Sequence, residues 1–299
     1  MIQKQTHVYR RPHKRRYTYS DILITAVLTL LVLLIFFPFY NAIVISLETS
    51  RAYALYPVSF LPMEWSLKNY SYLLQNGQIL VGYRNTIFIT AIGTAYGMIV
   101  SVMTAYAFSR PAFPGKRLLF SLMMFTMLFS GGMVPTYLQL KALGLVNSRF
   151  SIILLVGVST YNIIIIKSGF EQTPASLSEA AKIDGANELV IFARIMLPLQ
   201  SALLATFTLF TAVTYWNEWF WSMLMINSAH KMTLQTVLRS IVAEASADAD
   251  IASGEAGLDA FSQGIKMAAV TMTLAPIMCL YPFLQKYFVK GVMVGSVKM

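Results

Sequence analysis

Long stretches without a charged side chain constrain this sequence more than any other feature. A helix that crosses about 30 Å of hydrocarbon needs roughly 20 apolar residues. Stretches close to that length occur at residues 22–47, 85–109, 118–140, 150–166, 199–217 and 267–285. The sequence therefore predicts an all-α membrane protein with six transmembrane helices.

The overall composition supports the same class. Hydrophobic residues make up 57% of the chain and charged residues only 12%, whereas soluble domains carry about 25% charged residues. The net charge of +10 would also suit a nucleic-acid-binding protein. We exclude that class because the basic residues lie between apolar stretches instead of forming one basic face.

The distribution of lysine and arginine predicts the orientation of the helices. Six basic residues lie in the leader 1–20, and cytoplasmic loops of membrane proteins are enriched in such residues. With this leader in the cytoplasm, fifteen of the 23 basic residues fall on the cytoplasmic side. The sequence therefore predicts that both termini are cytoplasmic and that the acidic loop 244–259 is external.

Motifs for catalysis, cofactors and metals are missing from the sequence. The Gly115-Lys116 pair resembles part of a P-loop, but Arg110 stands where that loop needs its first glycine. The three histidines lack metal-binding or catalytic spacing, and only Glu218 places a charge within a hydrophobic run. We therefore predict no catalytic, cofactor or metal site, and a transport role that another protein energises.

Two sequence features predict how the helices pack and where the chain turns. Gly93 and Gly97 form a Gly-x-x-x-Gly pair, which lets helices approach closely. The stretch "FSGGMVP", residues 129–135, weakens the third predicted helix near its outer end. It is compatible with a broken helix that lines a cavity and with a simple kink.

One polar segment, residues 178–198, interrupts the apolar chain between the fourth and fifth predicted spans. Ser176 and Glu179 have capping-box spacing, which predicts a helix that begins one residue after Ser176. Gly185 predicts a left-handed turn, and a second helix is expected from about Asn187. These features suit an ordinary interfacial loop and a docking element for a cytoplasmic partner equally well.

A motif in the same segment resembles that of a known family. In residue type and spacing it matches the E-A-A loop of the permease subunits of binding-protein-dependent ABC importers. The carbohydrate-uptake branch reads Asp-Gly-Ala within this loop, as this chain does. The matching residues are Glu179, Ala180, Ala181, Asp184, Gly185, Ala186, Phe192, Ile195, Leu197 and Pro198.

The resemblance extends over most of the chain. The six spans, the basic leader and the ending "YFVKGVMVGSVK" are similar to the second permease subunit of maltose-type importers. Residues 130–148, "SGGMVPTYLQLKALGLVNS", resemble a subgroup for complex or uronate-containing oligosaccharides. The resemblance implies the type I ABC importer permease fold, in a bacterial cytoplasmic membrane that the chain crosses several times.

The resemblance also implies a mechanism and its partners. This subunit and a second permease subunit would enclose a path for an oligosaccharide, which an external sugar-binding protein delivers. A dimer of cytoplasmic ATPase subunits would bind ATP and Mg, so that this chain carries no cofactor. The E-A-A helix would dock on an ATPase subunit and couple its movement to the spans.

This resemblance divides the chain into four parts. They are the leader 1–20, the first transmembrane helix and external loop 21–82, a core permease domain 83–288 with the coupling loop 171–198, and a cytoplasmic tail 289–299. The tail is either an ATPase contact or a disordered end. An ion-gradient-driven secondary transporter and a membrane-embedded enzyme are the alternative functions.

The sequence "YWNEWFW", residues 215–221, closes the fifth predicted span on its outer side. Continued as a helix, it would place Tyr215, Glu218 and Trp219 on one face. Aromatic rings can form a belt at the lipid–water interface. They can also stack on sugar rings beside a carboxylate, so this face is a candidate contact for the path or the binding protein.

Overall fold

The structure, a computed structural model, describes residues 19–75, 77–110, 113–251 and 263–279. Within these ranges every regular segment is helical, apart from an isolated bridge between Glu48 and Trp65. The all-α prediction is confirmed for this part of the chain. The tail 289–299, most of the leader 1–20 and the end of the sixth predicted span lie outside the described residues.

Short connections separate the helices of the described part. In chain order they are α1 (Tyr19–Ser46), α2 (Ser50–Leu55), α3 (Lys68–Gln75), α4 (Gln78–Ser109), α5 (Lys116–Leu128), α6 (Met133–Ala142), α7 (Arg149–Val156), α8 (Thr160–Glu171), α9 (Ala175–Ile183), α10 (Glu188–Leu199), α11 (Ser201–Trp216), α12 (Phe220–Met225), α13 (Leu234–Ile251) and α14 (263–279). A π-helical turn, Phe192–Met196, lies within α10.

Helices α1 and α4 are each long and apolar enough to cross a membrane. Three pairs of shorter helices reach that length only when the two members are taken together. A short break separates the members of each pair, and they are bent by 117° between α5 and α6, by 48° between α7 and α8, and by 81° between α10 and α11. By length and composition, the described residues hold two spans, or up to five if each bent pair counts as one. The number six stays a prediction.

The sharpest bend lies at the Ser-Gly-Gly stretch between α5 and α6. Gly132 has a φ of +88°, a backbone conformation that glycine adopts at little steric cost. Helical hydrogen bonding stops there, so α5 ends at Leu128 and α6 begins at Met133. The sequence predicted a weakened third helix, and the structure shows that this helix is completely broken into α5 and α6.

Helix α4 is central to the fold, since α7, α8, α11 and α13 all pack against it. Two of its glycines allow the closest approaches. A Cβ at Gly93 would lie 2.6 Å from a ring carbon of Tyr215, and one at Gly97 would lie 2.9 Å from the carbonyl carbon of Gly157. The Gly-x-x-x-Gly pair thus lets neighbouring elements approach, as the sequence predicted.

Asn147 joins the loop before α7 to the loop after α12. Its backbone N–H donates to the Met225 carbonyl at 2.7 Å, and its side-chain amide donates to Ser228 Oγ at 2.8 Å. Its side-chain oxygen accepts from the backbone N–H of Ser228 at 3.1 Å, and Lys231 Nζ donates to its carbonyl at 2.8 Å. With a φ of +60°, Asn147 adopts a left-handed conformation that asparagine tolerates well.

Replacing Asn147 with alanine is expected to destabilise the protein by about 1–3 kcal/mol, since the part-buried N–H of Ser228 loses its acceptor and alanine is strained at a φ of +60°. Thermal unfolding of the detergent-solubilised protein measures this. Asn147→Gly removes the same bonds without the left-handed strain and should unfold at a higher temperature than Asn147→Ala. Asn217→Ala is the control, because the exposed Asn217 amide bonds only to a carbonyl of its own helix. Equal stability of Asn147→Ala and wild type would contradict the prediction.

Candidate functional site

Residues 175–199, which we call the coupling segment, form two helices joined at Gly185. Gly185 has a φ of +83°. Its N–H donates to the Lys182 carbonyl at 3.0 Å, and the Ala186 N–H donates to the Ala181 carbonyl at 2.9 Å. These two bonds form the Schellman motif, which ends a helix at a left-handed glycine. The structure therefore has the turn where the sequence predicted it.

The two helices of the coupling segment begin differently. Helix α9 starts at Ala175 instead of Leu177, with Pro174 before it and no side-chain cap. Ser176 and Glu179 lie inside the first turns, so the predicted capping box does not form. Asn187 does cap α10, because its side-chain oxygen accepts from the Val190 N–H at 2.9 Å.

The outer surface of the coupling segment combines polar and apolar side chains. Ile183 is 86% exposed and Leu189 is 74% exposed. Glu179, Ala180, Asp184 and Gly185 are exposed beside them, and so is Pro198 at the far end. Helical spacing would place Leu189, Phe192 and Ile195 on one apolar face, but Leu189 faces outward whereas Phe192 and Ile195 are half-buried.

The inner surface of the coupling segment belongs to the hydrophobic core. Ile191 and Met196 are buried against Ile166, Phe170 and Phe207. Ile191 and Met196 thus occupy the core-facing positions of α10. The motif residues that are half-buried on this side are Ala181, Ala186, Phe192, Ile195 and Leu197.

A cluster of polar groups, which sequence reasoning missed, surrounds the carboxylate of Glu188. Lys182 Nζ lies 2.8 Å from Oε1, and the Tyr106 hydroxyl donates to Oε2 at 2.9 Å. Arg110 Nε lies 3.7 Å from Oε2. The hydrogen bond from Lys182 is the main cause that holds the pKa of Glu188 below its usual value. Glu188 is therefore ionised at neutral pH.

A cavity of about 380 Å³ lies between α9 and the C-terminal ends of α4 and α8. Seven of its ten lining residues are polar or charged, among them Arg110, Glu171, Ser178 and Lys182. Only Ser178 of α9 is buried. Helix α9 is therefore less buried than α10, although its Ala181 packs at the edge of the hydrophobic core.

The aromatic cluster of residues 215–221 differs from the predicted continuous helix. Helix α11 ends at Trp216, and α12 begins at Phe220, so Tyr215, Glu218 and Trp219 share no helix face. The Tyr215 side chain is fully buried between α4 and α7, and its hydroxyl donates to the Ile153 carbonyl at 2.6 Å. The predicted contact of Tyr215 with the path or a binding protein is therefore wrong.

Glu218 and Trp219 occupy the corner between α11 and α12. Glu218 Oε1 accepts from the Trp221 N–H at 2.7 Å, so the carboxylate caps α12. The half-exposed ring of Trp219 lies under the guanidinium of Arg239, whose Cζ is 4.1 Å from the ring centroid. Thr236, on the same helix as Arg239, donates to the Trp219 carbonyl at 3.4 Å. Sequence reasoning missed Arg239, and this corner presents both an aromatic ring and a cation.

Curated relatives match nearly the whole chain. A permease protein of the polygalacturonan/rhamnogalacturonan transport system of Bacillus subtilis (YtcP) is 40% identical over 279 residues, which are 93% of this chain and 98% of the relative. The protein LplC of the same organism is 40% identical over 263 residues, 87% of this chain and 88% of LplC. An arabinooligosaccharide transport permease of Halalkalibacterium halodurans (AraQ) is 27% identical over 267 residues, 88% of this chain and 91% of the relative.

A solved structure matches the fold of the chain. It is a chain of a bacterial ABC transporter involved in the import of the acidic polysaccharide alginate. The TM-score is 0.81 at 31% sequence identity, and the match covers 92% of this chain and 100% of the other. No protein-family model matches the sequence.

Proposed function

The chain belongs to the permease subunits of carbohydrate ABC importers, and we propose that it forms half of the membrane path of an oligosaccharide importer. Subunits of this family transport and are not themselves enzymes. The alternatives of a membrane-embedded enzyme and an ion-driven transporter are therefore set aside. A second permease subunit would form the other half of the path.

The proposed arrangement has six spans with both termini in the cytoplasm. The first, second and fifth spans correspond to α1, α4 and α11, and the third and fourth to the bent pairs of α5 with α6 and α7 with α8. The helix 263–279 begins the sixth. This arrangement places the coupling segment on the cytoplasmic side, and the basic leader supports it. A bacterial cytoplasmic membrane is the proposed location.

The coupling segment is the proposed docking site for a cytoplasmic ATPase subunit. The observation that carries this proposal is the exposure of Ile183 and Leu189 on a short, polar helical hairpin. Exposed apolar side chains grouped within polar surroundings mark protein–protein contacts. ATP and Mg would bind to the ATPase dimer. This chain would bind no nucleotide and would change conformation when the docked ATPase subunit moves.

An acidic oligosaccharide is the proposed substrate class. The alginate importer and the polygalacturonan/rhamnogalacturonan permease are named for the transport of acidic polysaccharides or of polymers that contain uronates. Arg239 makes no ion pair with any side chain that the structure describes. Its guanidinium can bind a carboxylate, while the Trp219 ring offers a face for a sugar. This external corner would meet the path or the sugar-binding protein.

Reconstitution tests the proposed function. The chain is co-expressed with its partner permease, ATPase and binding-protein subunits and placed in proteoliposomes. ATP hydrolysis and uptake are measured with oligogalacturonides, alginate oligosaccharides and neutral arabino-oligosaccharides. We expect at least one acidic oligosaccharide to stimulate both. Absence of ATPase co-purification, or no stimulation by any oligosaccharide, would contradict the proposal.

Replacing Trp219 with alanine is expected to lower uptake about fivefold. This factor corresponds to a free energy of about 1 kcal/mol, which is typical of one cation–π contact. Trp219→Phe keeps an aromatic face and should retain more uptake than Trp219→Ala. Trp65→Ala is the control, since Trp65 is an exposed tryptophan of the predicted external loop. The yield of purified complex should stay unchanged in all three variants. Wild-type uptake by Trp219→Ala would remove this corner from the proposed path.

A further inference from the structure

We propose that Tyr106 and Glu188 form a mechanical link that carries movement of the coupling segment into helix α4. The inference rests on the proposed function, because it assumes that an ATPase moves the coupling segment. It adds two positioning residues that lie outside the E-A-A motif. Neither residue contacts the sugar or the nucleotide in this scheme.

A noncovalent link is needed because of the order of the helices along the chain. The coupling segment follows α8 and precedes α11, so the backbone joins it to those two helices. Helix α4 has no such connection, although α7, α8, α11 and α13 all pack against it. A direct contact between the coupling segment and α4 would therefore spread one movement through the whole bundle.

The hydroxyl of Tyr106 supplies that contact at the inner end of α4. It donates to Glu188 Oε2 at 2.9 Å and lies 3.3 Å from the Glu188 carbonyl oxygen. The ring of Tyr106 packs against Phe192, with centroids 4.6 Å apart, and against Phe170, at 5.7 Å. Tyr106 is thus fixed by polar and apolar contacts with α8 and α10 together.

Charged neighbours extend the link to the other helix of the coupling segment. The Arg110 guanidinium lies over the Tyr106 ring, 4.2 Å from its centroid. Arg110 Nη1 donates to Ser178 Oγ of α9 at 3.4 Å. Lys182 of α9 binds Glu188 of α10 at 2.8 Å and so bridges the turn at Gly185. Both helices of the coupling segment are therefore tied to the end of α4.

The cavity beside α9 makes the polar contacts around Glu188 important for holding α9 against the end of α4. Apolar packing joins α10 to α4, α8 and α11, but α9 borders a space of about 380 Å³ and buries only Ser178. Without the Glu188 cluster, α9 could shift into that space while α4 stayed in place. Movement of α9 would then reach α4 only indirectly, through the apolar packing of α10.

Two substitutions test the link in the complete reconstituted transporter. Tyr106→Phe removes the hydroxyl and keeps the ring contacts, and Glu188→Met removes the carboxylate acceptor and keeps a side chain of similar length. For each, the amount of sugar transported per ATP hydrolysed is measured with the liganded binding protein. We expect this ratio to fall about tenfold in each variant, as for one hydrogen bond to a charged group.

The double variant distinguishes a link from two separate structural roles. If Tyr106 and Glu188 act through one bond, the double variant should fall no further than either single variant. Glu64→Gln is the matched control, because Glu64 lies in the loop between α2 and α3, away from the coupling segment, and its carboxylate accepts a hydrogen bond of 2.8 Å from Thr49 Oγ1. Its sugar-to-ATP ratio should equal that of wild type.

Three outcomes would overturn the inference. They are wild-type ratios in both single variants, additive losses in the double variant, or an equal loss in Glu64→Gln. Failure of the proposed function would look different, because the wild-type transporter itself would then show no hydrolysis stimulated by an oligosaccharide.

Discussion

Replacing Gly97 with alanine is expected to prevent most of the protein from folding into an assembled transporter. A Cβ at this position would lie 2.9 Å from the carbonyl carbon of Gly157 and closer still to its oxygen. Both are backbone atoms, so no side chain can rotate away. Forcing extra volume into a packed contact costs about 1–3 kcal/mol, and a backbone clash lies at the upper end. The yield of purified complex should fall below about a tenth of wild type.

Ala95→Leu is the control for this substitution. Ala95 lies on the same helix, two residues away, but on its exposed side. Leucine adds more volume than the Gly97→Ala change and is a good helix former. We expect near-wild-type yield from Ala95→Leu. A normal yield and normal uptake from Gly97→Ala would show that α4 and the Gly157 region are farther apart than described.

Replacing Gly185 with leucine is expected to lower sugar uptake about tenfold while membrane insertion stays normal. No atom lies within 4 Å of a Cβ built at Gly185, so steric contact is not the cause. The cost arises from its φ of +83°, which disfavours a β-carbon by about 1–2 kcal/mol. The chain would relieve this strain by changing the angle between α9 and α10, and the docking surface would no longer match the ATPase.

Gly185→Asn separates backbone strain from other effects of the substitution. Asparagine adopts left-handed conformations far more readily than leucine does. Uptake and co-purified ATPase should therefore be higher for Gly185→Asn than for Gly185→Leu. Membrane-fraction levels of both variants should match wild type. If Gly185→Leu transports sugar at the wild-type rate, the turn at Gly185 has no role in coupling.

Local patterns in the sequence predicted the features that depend on a few neighbouring residues. The charge-free stretches predicted helices because apolar length is a property of the segment alone. Gly185 predicted a turn because only a residue without a β-carbon enters that conformation freely. The close approaches at Gly93 and Gly97 likewise follow from missing side-chain volume. The chain's place among ABC importer permeases followed from the spacing of the E-A-A motif.

Features that depend on tertiary contacts could not be predicted in this way. Helical spacing placed Tyr215 beside Glu218, but α11 ends at Trp216 and the tyrosine fills the gap left by Gly93. Glu188 and Tyr106 lie far apart in the sequence, and no periodic pattern connects them. Arg239 stands on a helix that follows a separate turn, so its position over Trp219 depends on the packing of α13.

The bend of 81° between α10 and α11 makes α10 a lever arm with its pivot near Ser201. At 1.5 Å per residue, the twelve residues of α10 give an arm of about 18 Å. A rotation of about 10° about the pivot would displace the Glu188 end by about 3 Å. A hydrogen bond of 2.9 Å cannot stretch that far. In the proposed transporter, a stroke of this size would therefore either pull the Arg110 end of α4 along or release Tyr106, and the length of α10 sets how far its end travels for a given rotation.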